Sequence, residues 1–362
     1  MLILISSGAQ PRYADDIVRA LAHPAGTSFQ FRYGTKYVDD RLGQRDLTNE
    51  PVLICYLMAD ASAKTVRLIP CRFVTVAKAQ IVGSSWIFTL NAGSFVAKLD
   101  DAVIRAALSD EERDLIPAFD AQGNGPSGKF AFSVAKALHS DDTYAPGPKA
   151  MTAFEETASA LSSDPRFASG NGLSFFTVFA LGTNDRWWWS RKKAPTEIAP
   201  INGRYRLWLG WRYWLDIYSY SPAGGAALAH PTRLACESGD AAVRFTSAAS
   251  HVLDSRYDLN RSVFTTTAAQ MSILIGLRVS LKVPDQAKPT EIVDRCDITL
   301  ETRFRGALAW TLARVGFIAV GAAAPAAIAA VKTDQFTWPL FAMMVAGGAI
   351  GALGTLFPSL KS

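Results

Sequence analysis

The balance of apolar and polar positions changes sharply along this chain, and the change is largest near its C-terminal end. Residues 315–331, "VGFIAVGAAAPAAIAAV", are 17 positions without a charge. After the link "KTDQ", residues 336–357 are 22 further uncharged positions. A 17-residue helix rising about 1.5 Å per residue just crosses a hydrocarbon core of roughly 30 Å. Residues 307–312 lengthen the first run if Arg314 snorkels to the headgroups. Two such runs on a short link predict a transmembrane helical hairpin. Trp310 and Trp338 fall near its expected interfaces, where aromatic belts form. Both runs are rich in Ala and Gly, so they gain more from packing on each other than from facing lipid. Gly347 and Gly351 make a GxxxG step, with Gly354 following, a face suited to close helix packing within the hairpin or between copies.

Upstream the pattern is mostly that of strands. "MLILISSG" predicts a short strand and residues 12–22 an amphipathic helix. The runs "SFQFRYG", "PVLICYLM", "VRLIPCRFVTVAKAQIVG" and "SSWIFTLNAGSFVAKL" are rich in β-branched and aromatic residues and predict a small curled sheet or barrel. Residues 100–114 predict one helix, started by "SDEE". "SDDTYAPGPK" has linker composition, and a helix follows it. Next come strands over 172–182 and 203–221, the second bent or bulged at Gly210, and a shorter one at "AAVRFTSA". Two late runs alternate cleanly. Ile273, Ile275, Leu277, Val279, Leu281 and Val283 share one face, as do Ile298, Leu300 and Phe304. Alternation with one polar face fits an antiparallel sandwich.

The expected fold is therefore mainly β with some α: two β-rich domains, one small and barrel-like, one sandwich-like, followed by the hairpin. The boundaries fall at 1–140, a linker over 141–150, the sandwich over 151–304, and the hairpin over 305–362. The last strand feeds the first apolar run with no flexible linker, so the sandwich must sit close to the bilayer.

Composition adds compartment rather than chemistry. Charged residues make up 19%, against roughly 25% in ordinary soluble chains, and the deficit is concentrated at the C-terminus. The net charge of +5 suits an anionic membrane surface and is too diffuse for nucleic acid. Cys55, Cys71, Cys236 and Cys296 form no CxxC pair and suggest separate thiols in a reducing compartment. The four histidines, His23, His139, His230 and His251, are scattered without a zinc pattern. Arg303, Arg305 and Arg314 precede the first run, and Lys361 follows the second. The positive-inside rule then puts both termini and the β domains in the cytoplasm, on an inner membrane.

Catalytic signatures are weak. "GNGPSGKF" matches GxxxxGK but places Phe130 where a phosphate loop needs Ser or Thr. Adjacent acidic pairs such as Asp15-Asp16 and Asp39-Asp40 suit solvated faces. No catalytic residue, metal or cofactor is assigned. Two aromatic segments suggest contact surfaces instead. Arg206, Trp208, Arg212 and Trp214 fall on one face of the expected 203–221 strand and suit a cation–π binding surface. Trp187, Trp188 and Trp189, followed by Arg191, Lys192 and Lys193, suit an anionic membrane interface, with core packing or a protein partner as competing destinations.

This layout, β domains ahead of a two-span hairpin, resembles two-span effectors of bacterial abortive-infection systems. The resemblance is one of architecture, and no motif carries it. It implies a sensor–effector that binds a ligand or partner through its β domains and acts by oligomerisation of the hairpin, disrupting the membrane. The alternatives are a membrane-bound scaffold or adaptor that recruits a protein to the bilayer, and an enzyme on a membrane substrate, for which no motif is present. The expected partners are the lipid bilayer and a second copy or a protein.

Overall fold

The computed structural model describes residues 1–7, 11–120, 122–138, 148–164, 167, 175–185, 196–221, 232–246, 249–253, 255–267, 273–284 and 292–305. The predicted hairpin, with Trp310, Trp338, Gly347, Gly351 and Gly354, lies outside these residues. So does the segment holding Trp187, Trp188, Trp189, Arg191, Lys192 and Lys193. Among the described residues no helix is long and apolar enough to cross a membrane.

The chain is mainly β. The first half contributes β1 (Leu2–Ser7), α1 (Pro11–Ala22), β2 (Ser28–Gly34), β3 (Pro51–Asp60), β4 (Thr65–Val82), β5 (Ser85–Phe95), α2 (Asp101–Ala107), α3 (Asp110–Arg113) and β6 (Ala131–Ser133). Its sheet has the order β2-β5-β4-β3-β1-β6, with β1 parallel to β3 and the other pairs antiparallel. The parallel pair explains two unbroken apolar runs. Leu2 and Leu4 of β1, with Val52, Ile54 and Tyr56 of β3, face the cluster that includes α1. Ile3 and Ile5, with Leu53, Cys55 and Leu57, face a second cluster that includes Ile104 of α2. Strands covered on both faces need no polar alternation. Past β2 the chain bridges to β6, where Asp39 N–H donates to Ala131 O at 2.8 Å and Phe130 N–H to Tyr37 O at 2.7 Å. That bridge joins the two edges of the curled sheet at one end.

Local rules explain most irregularities. Pro70 lies inside β4, and the register against β3 shifts between Ile54 and Cys55, where Pro70 faces Cys55. A bulge is where a strand tolerates a residue with no N–H. The single helix expected over 100–114 is two helices. Asp100 caps the first, Leu108 is extended, and a Ser109–Glu112 capping box starts the second. The C-terminal carbonyls of α1 are satisfied by Arg72. This fully buried guanidinium on β4 donates to Ala20 O, Leu21 O and His23 O and to Gly93 O, and lies over the Phe95 ring at 4.5 Å.

The second half contributes α4 (Pro148–Leu161), β7 (Phe175–Thr183), β8 (Thr196–Glu197), β9 (Tyr205–Trp208), β10 (Arg212–Tyr220), β11 (Thr232–Ser238), β12 (Val243–Phe245), β13 (Ser250–Leu253), β14 (Tyr257–Thr266), β15 (Ile273–Pro284) and β16 (Ile292–Arg305). These strands form two five-stranded sheets, β12-β14-β10-β7-β8 and β13-β11-β15-β16-β9. The two sheets meet through side chains: the Tyr213 hydroxyl donates to Trp208 O at 2.9 Å, and His251 Nε2 lies 2.9 Å from Ser262 Oγ. The alternation on β15 and β16 is as expected, with Ile275, Leu277, Val279 and Leu281 buried alongside Ile298, Leu300 and Phe304.

Residues 203–221 are not one strand. Gly210, at φ 84°, sits in a turn that sends β9 into one sheet and β10 into the other. Only glycine takes that backbone conformation without strain.

One continuous apolar cluster joins the two halves. It runs from Leu2 and Leu4 through Ile17, Val18 and Leu21 of α1 to Phe154 of α4, Leu215 and Ile217 of β10, and Leu300 and Phe304 of β16. Phe154 packs edge-on against both Phe95 and Tyr218. Tyr56 Oη donates to Asp164 Oδ2 at 2.9 Å in the same region.

Candidate functional site

The segments that position the site are β1, β3 and the first two turns of α1. β1 and β3 run parallel, from the Leu2–Val52 pair to the Ser7–Leu57 pair, and their carboxyl ends therefore open on the same side. At this end the chain leaves β1 to enter α1, while β3 turns directly into β4. This end borders a cavity of about 270 Å³, a size for a small molecule rather than a peptide.

Its walls are aromatic and its polar groups few. Tyr13 comes from α1, Phe31 and Tyr33 from β2, and Tyr37 and Phe130 from the bridge that closes the curl. Phe31 and Tyr33 stack at 6.3 Å, and Tyr37 meets Phe130 edge-on at 5.5 Å. Ser6, Ser7, Asp16 and Arg32 supply the polar lining. Ser6 Oγ donates to Tyr13 O at 2.7 Å, which fixes the start of α1 against β1. Tyr33 is 8% exposed, and its hydroxyl has no hydrogen-bond partner among the described residues. Burial first, then the charge of Asp16, pushes that phenol well above its ordinary range, so it stays protonated.

A polar path leads away from the cavity along α1. Arg19 donates to Asp16 Oδ1 at 3.1 Å and reaches Asp297 Oδ1 on β16 at 3.8 Å. Asp297 Oδ2 in turn accepts from Arg278 Nε on β15 at 3.3 Å. Arg19 is 42% exposed, so these pairs orient α1 more than they stabilise it. Apolar packing of α1 on β7 and β16 carries the larger part of the attachment. α1 thus lines the cavity with Tyr13 and Asp16 and rests on the strand that ends at Arg305, directly before residues 306–362.

The residues expected to form a binding surface do not come together. Arg206 is exposed on β9, with Trp208 half-buried and the Arg305 guanidinium over its ring at 5.7 Å. Arg212 and Trp214 are on β10, in the other sheet. Trp214 is 5% exposed, sealed by the Arg261 guanidinium at 4.4 Å, which a two-point ion pair with Asp216 holds at 2.6 Å. The turn at Gly210 separates the pairs. Lys129 of the GxxxxGK match donates to Val38 O at 2.8 Å and secures the bridge between the sheet edges, a structural task. All four cysteines are buried and outside any disulfide; burial pushes Cys55 and Cys71 well up and Cys236 to about 11, which leaves these three as thiols. Among the described residues no group of three or more His, Cys, Asp or Glu is arranged to hold a metal ion.

The cavity itself was not foreseen. Its signal was present in the unbroken apolar runs of β1 and β3, which mark a parallel pair whose carboxyl ends open on the same side. No protein-family model and no curated protein sequence matches the chain.

Proposed function

We propose that this chain is a membrane-anchored sensor–effector. A small ligand enters the aromatic-walled cavity at the ends of β1 and β3, and the two uncharged C-terminal runs insert in the bilayer and act by oligomerising through Gly347, Gly351 and Gly354, disrupting the membrane. The observation that carries this reading is the double role of α1. The helix supplies Tyr13 and Asp16 to the cavity and packs on β16, which ends at the residue preceding the C-terminal region. A ligand that shifts α1 by even a fraction of an ångström changes its packing on β16, because close-packed elements transmit strain instead of absorbing it.

The test is expression of the full chain in bacterial cells with a potential-sensitive dye. The chain should enter the membrane fraction and depolarise the cells. Gly347→Leu with Gly351→Leu should abolish depolarisation and leave fractionation intact. A chain that fractionates with membranes yet never depolarises them, at any level of expression, points to a scaffold or adaptor and removes the effector part of the reading.

A further inference from the structure

On the outer face of the sheet, three arginines line up where β16 ends. Arg303 pairs in register with Arg206 of the parallel neighbour β9, and Arg305 with Trp208. On the other side Arg303 is the register partner of Leu274 on β15, an apolar side chain left 60% exposed. Arg206, Arg303 and Arg305 are all exposed, and no carboxylate among the described residues pairs with them. One step back along the row, Arg204 and Glu301 do form an ion pair, so the charge is neutralised there and left open only at the strand end. Like charges on adjacent strands repel, and the arrangement is stable only if something anionic or well hydrated covers it.

We infer that this row, Arg206, Arg303 and Arg305 with Trp208 and Leu274, is a docking face for the anionic headgroups of the bilayer. The inference rests on the anchoring reading above. Its occupant follows from where the chain goes next. From residue 306 to residue 331 the sequence carries one charge, Arg314, and the uncharged run begins ten residues after Arg305. The ten steps from Arg305 to Val315 reach at most about 36 Å even when fully extended. The row is therefore tethered beside the membrane it would touch. Guanidinium groups pair with phosphate, and Trp and Leu enter the headgroup layer at the same level. The pairing of Arg305 with Trp208 presents both chemistries from one point. Docking would hold the β domains in one orientation on the bilayer, so that a displacement of β16 is delivered to the anchored runs.

The test uses the full chain reconstituted in phosphatidylcholine vesicles with and without phosphatidylglycerol. An environment-sensitive fluorophore is placed at Leu274→Cys; the native cysteines are buried and spared. Resistance of the chain to alkaline carbonate extraction reports anchoring separately. The label should be quenched by headgroup-bound quencher in vesicles with phosphatidylglycerol, and at least fivefold less without it. High salt and the triple change Arg206→Gln, Arg303→Gln, Arg305→Gln should each reproduce the loss, with the chain still resistant to extraction. A label that stays in water while the chain is anchored overturns the docking face alone. A chain that carbonate extracts overturns the anchor, and the docking face with it.

Discussion

His23 shows how far the environment of one side chain can be read as a statement about stability. It follows α1, is 6% exposed, stacks on Phe29 at 5.1 Å, and lies beside the buried guanidinium of Arg72. The Thr27 hydroxyl donates to Pro24 O, so the imidazole Nδ1 donates its proton to Thr27 Oγ1 at 3.2 Å. Burial first, then the charges of Arg72 and Arg19, lowers its pKa from 6.5 to about 3. The unfolded chain takes up a proton below about pH 6.5, whereas the folded chain does not until about pH 3. Stability from this group is therefore complete above pH 6.5 and falls as the pH drops toward 3. Between pH 7.5 and 4.5 the loss is about 3 kcal/mol. Denaturant melts of the detergent-solubilised chain should show it, and His23→Gln should flatten this part of the profile. None of this was visible in the sequence, where His23 is one of four scattered histidines. Its partners come from β2 and β4, and only the fold brings them together.

At the scale of elements, legibility followed the period of the pattern. The strands β2, β15 and β16 alternate, and their bounds were plain. α1 was plain from its apolar stripe. β14, "YDLNRSVFTT", is not legible because Asp258, Asn260 and Ser262 interrupt the signal, although it pairs with β10 from Tyr257 to Thr265. At Gly210 the sequence fits a bend or bulge as well as the turn that is present, since glycine marks all three. Gly182 shows what the pairing of β7 and β10 asks of sequence. It is the register partner of Trp214, and an added Cβ would lie 2.2 Å from the indole ring and 2.7 Å from Thr196 O. Gly182→Ala should then lower stability by about 2–3 kcal/mol through overpacking. Trp214→Phe in that background should recover part of the loss, a coupling read by a double-mutant cycle in denaturant. Additive effects, or a loss under about 0.5 kcal/mol, would show that the indole does not fix this position.

At the scale of the molecule, the mainly β character followed from sequence because it depends on local alternation. The cavity did not, because it depends on a parallel pairing between β1 and β3 across more than forty intervening residues. The proposed action depends on both: a cavity edged by α1, and a strand under α1 that leads to the C-terminal runs. Filling the cavity separates this account from one in which the β domains only decorate an anchor. Ala59 lines the cavity on β3 and is partly exposed to it, so Ala59→Trp occupies the space without entering the main core. The deciding measurement is depolarisation of cells expressing Ala59→Trp at the level of the unaltered chain, with membrane fractionation alongside. The account predicts that the variant stays in the membrane fraction and that depolarisation falls at least fivefold. Undiminished depolarisation by a chain whose cavity is filled would contradict it.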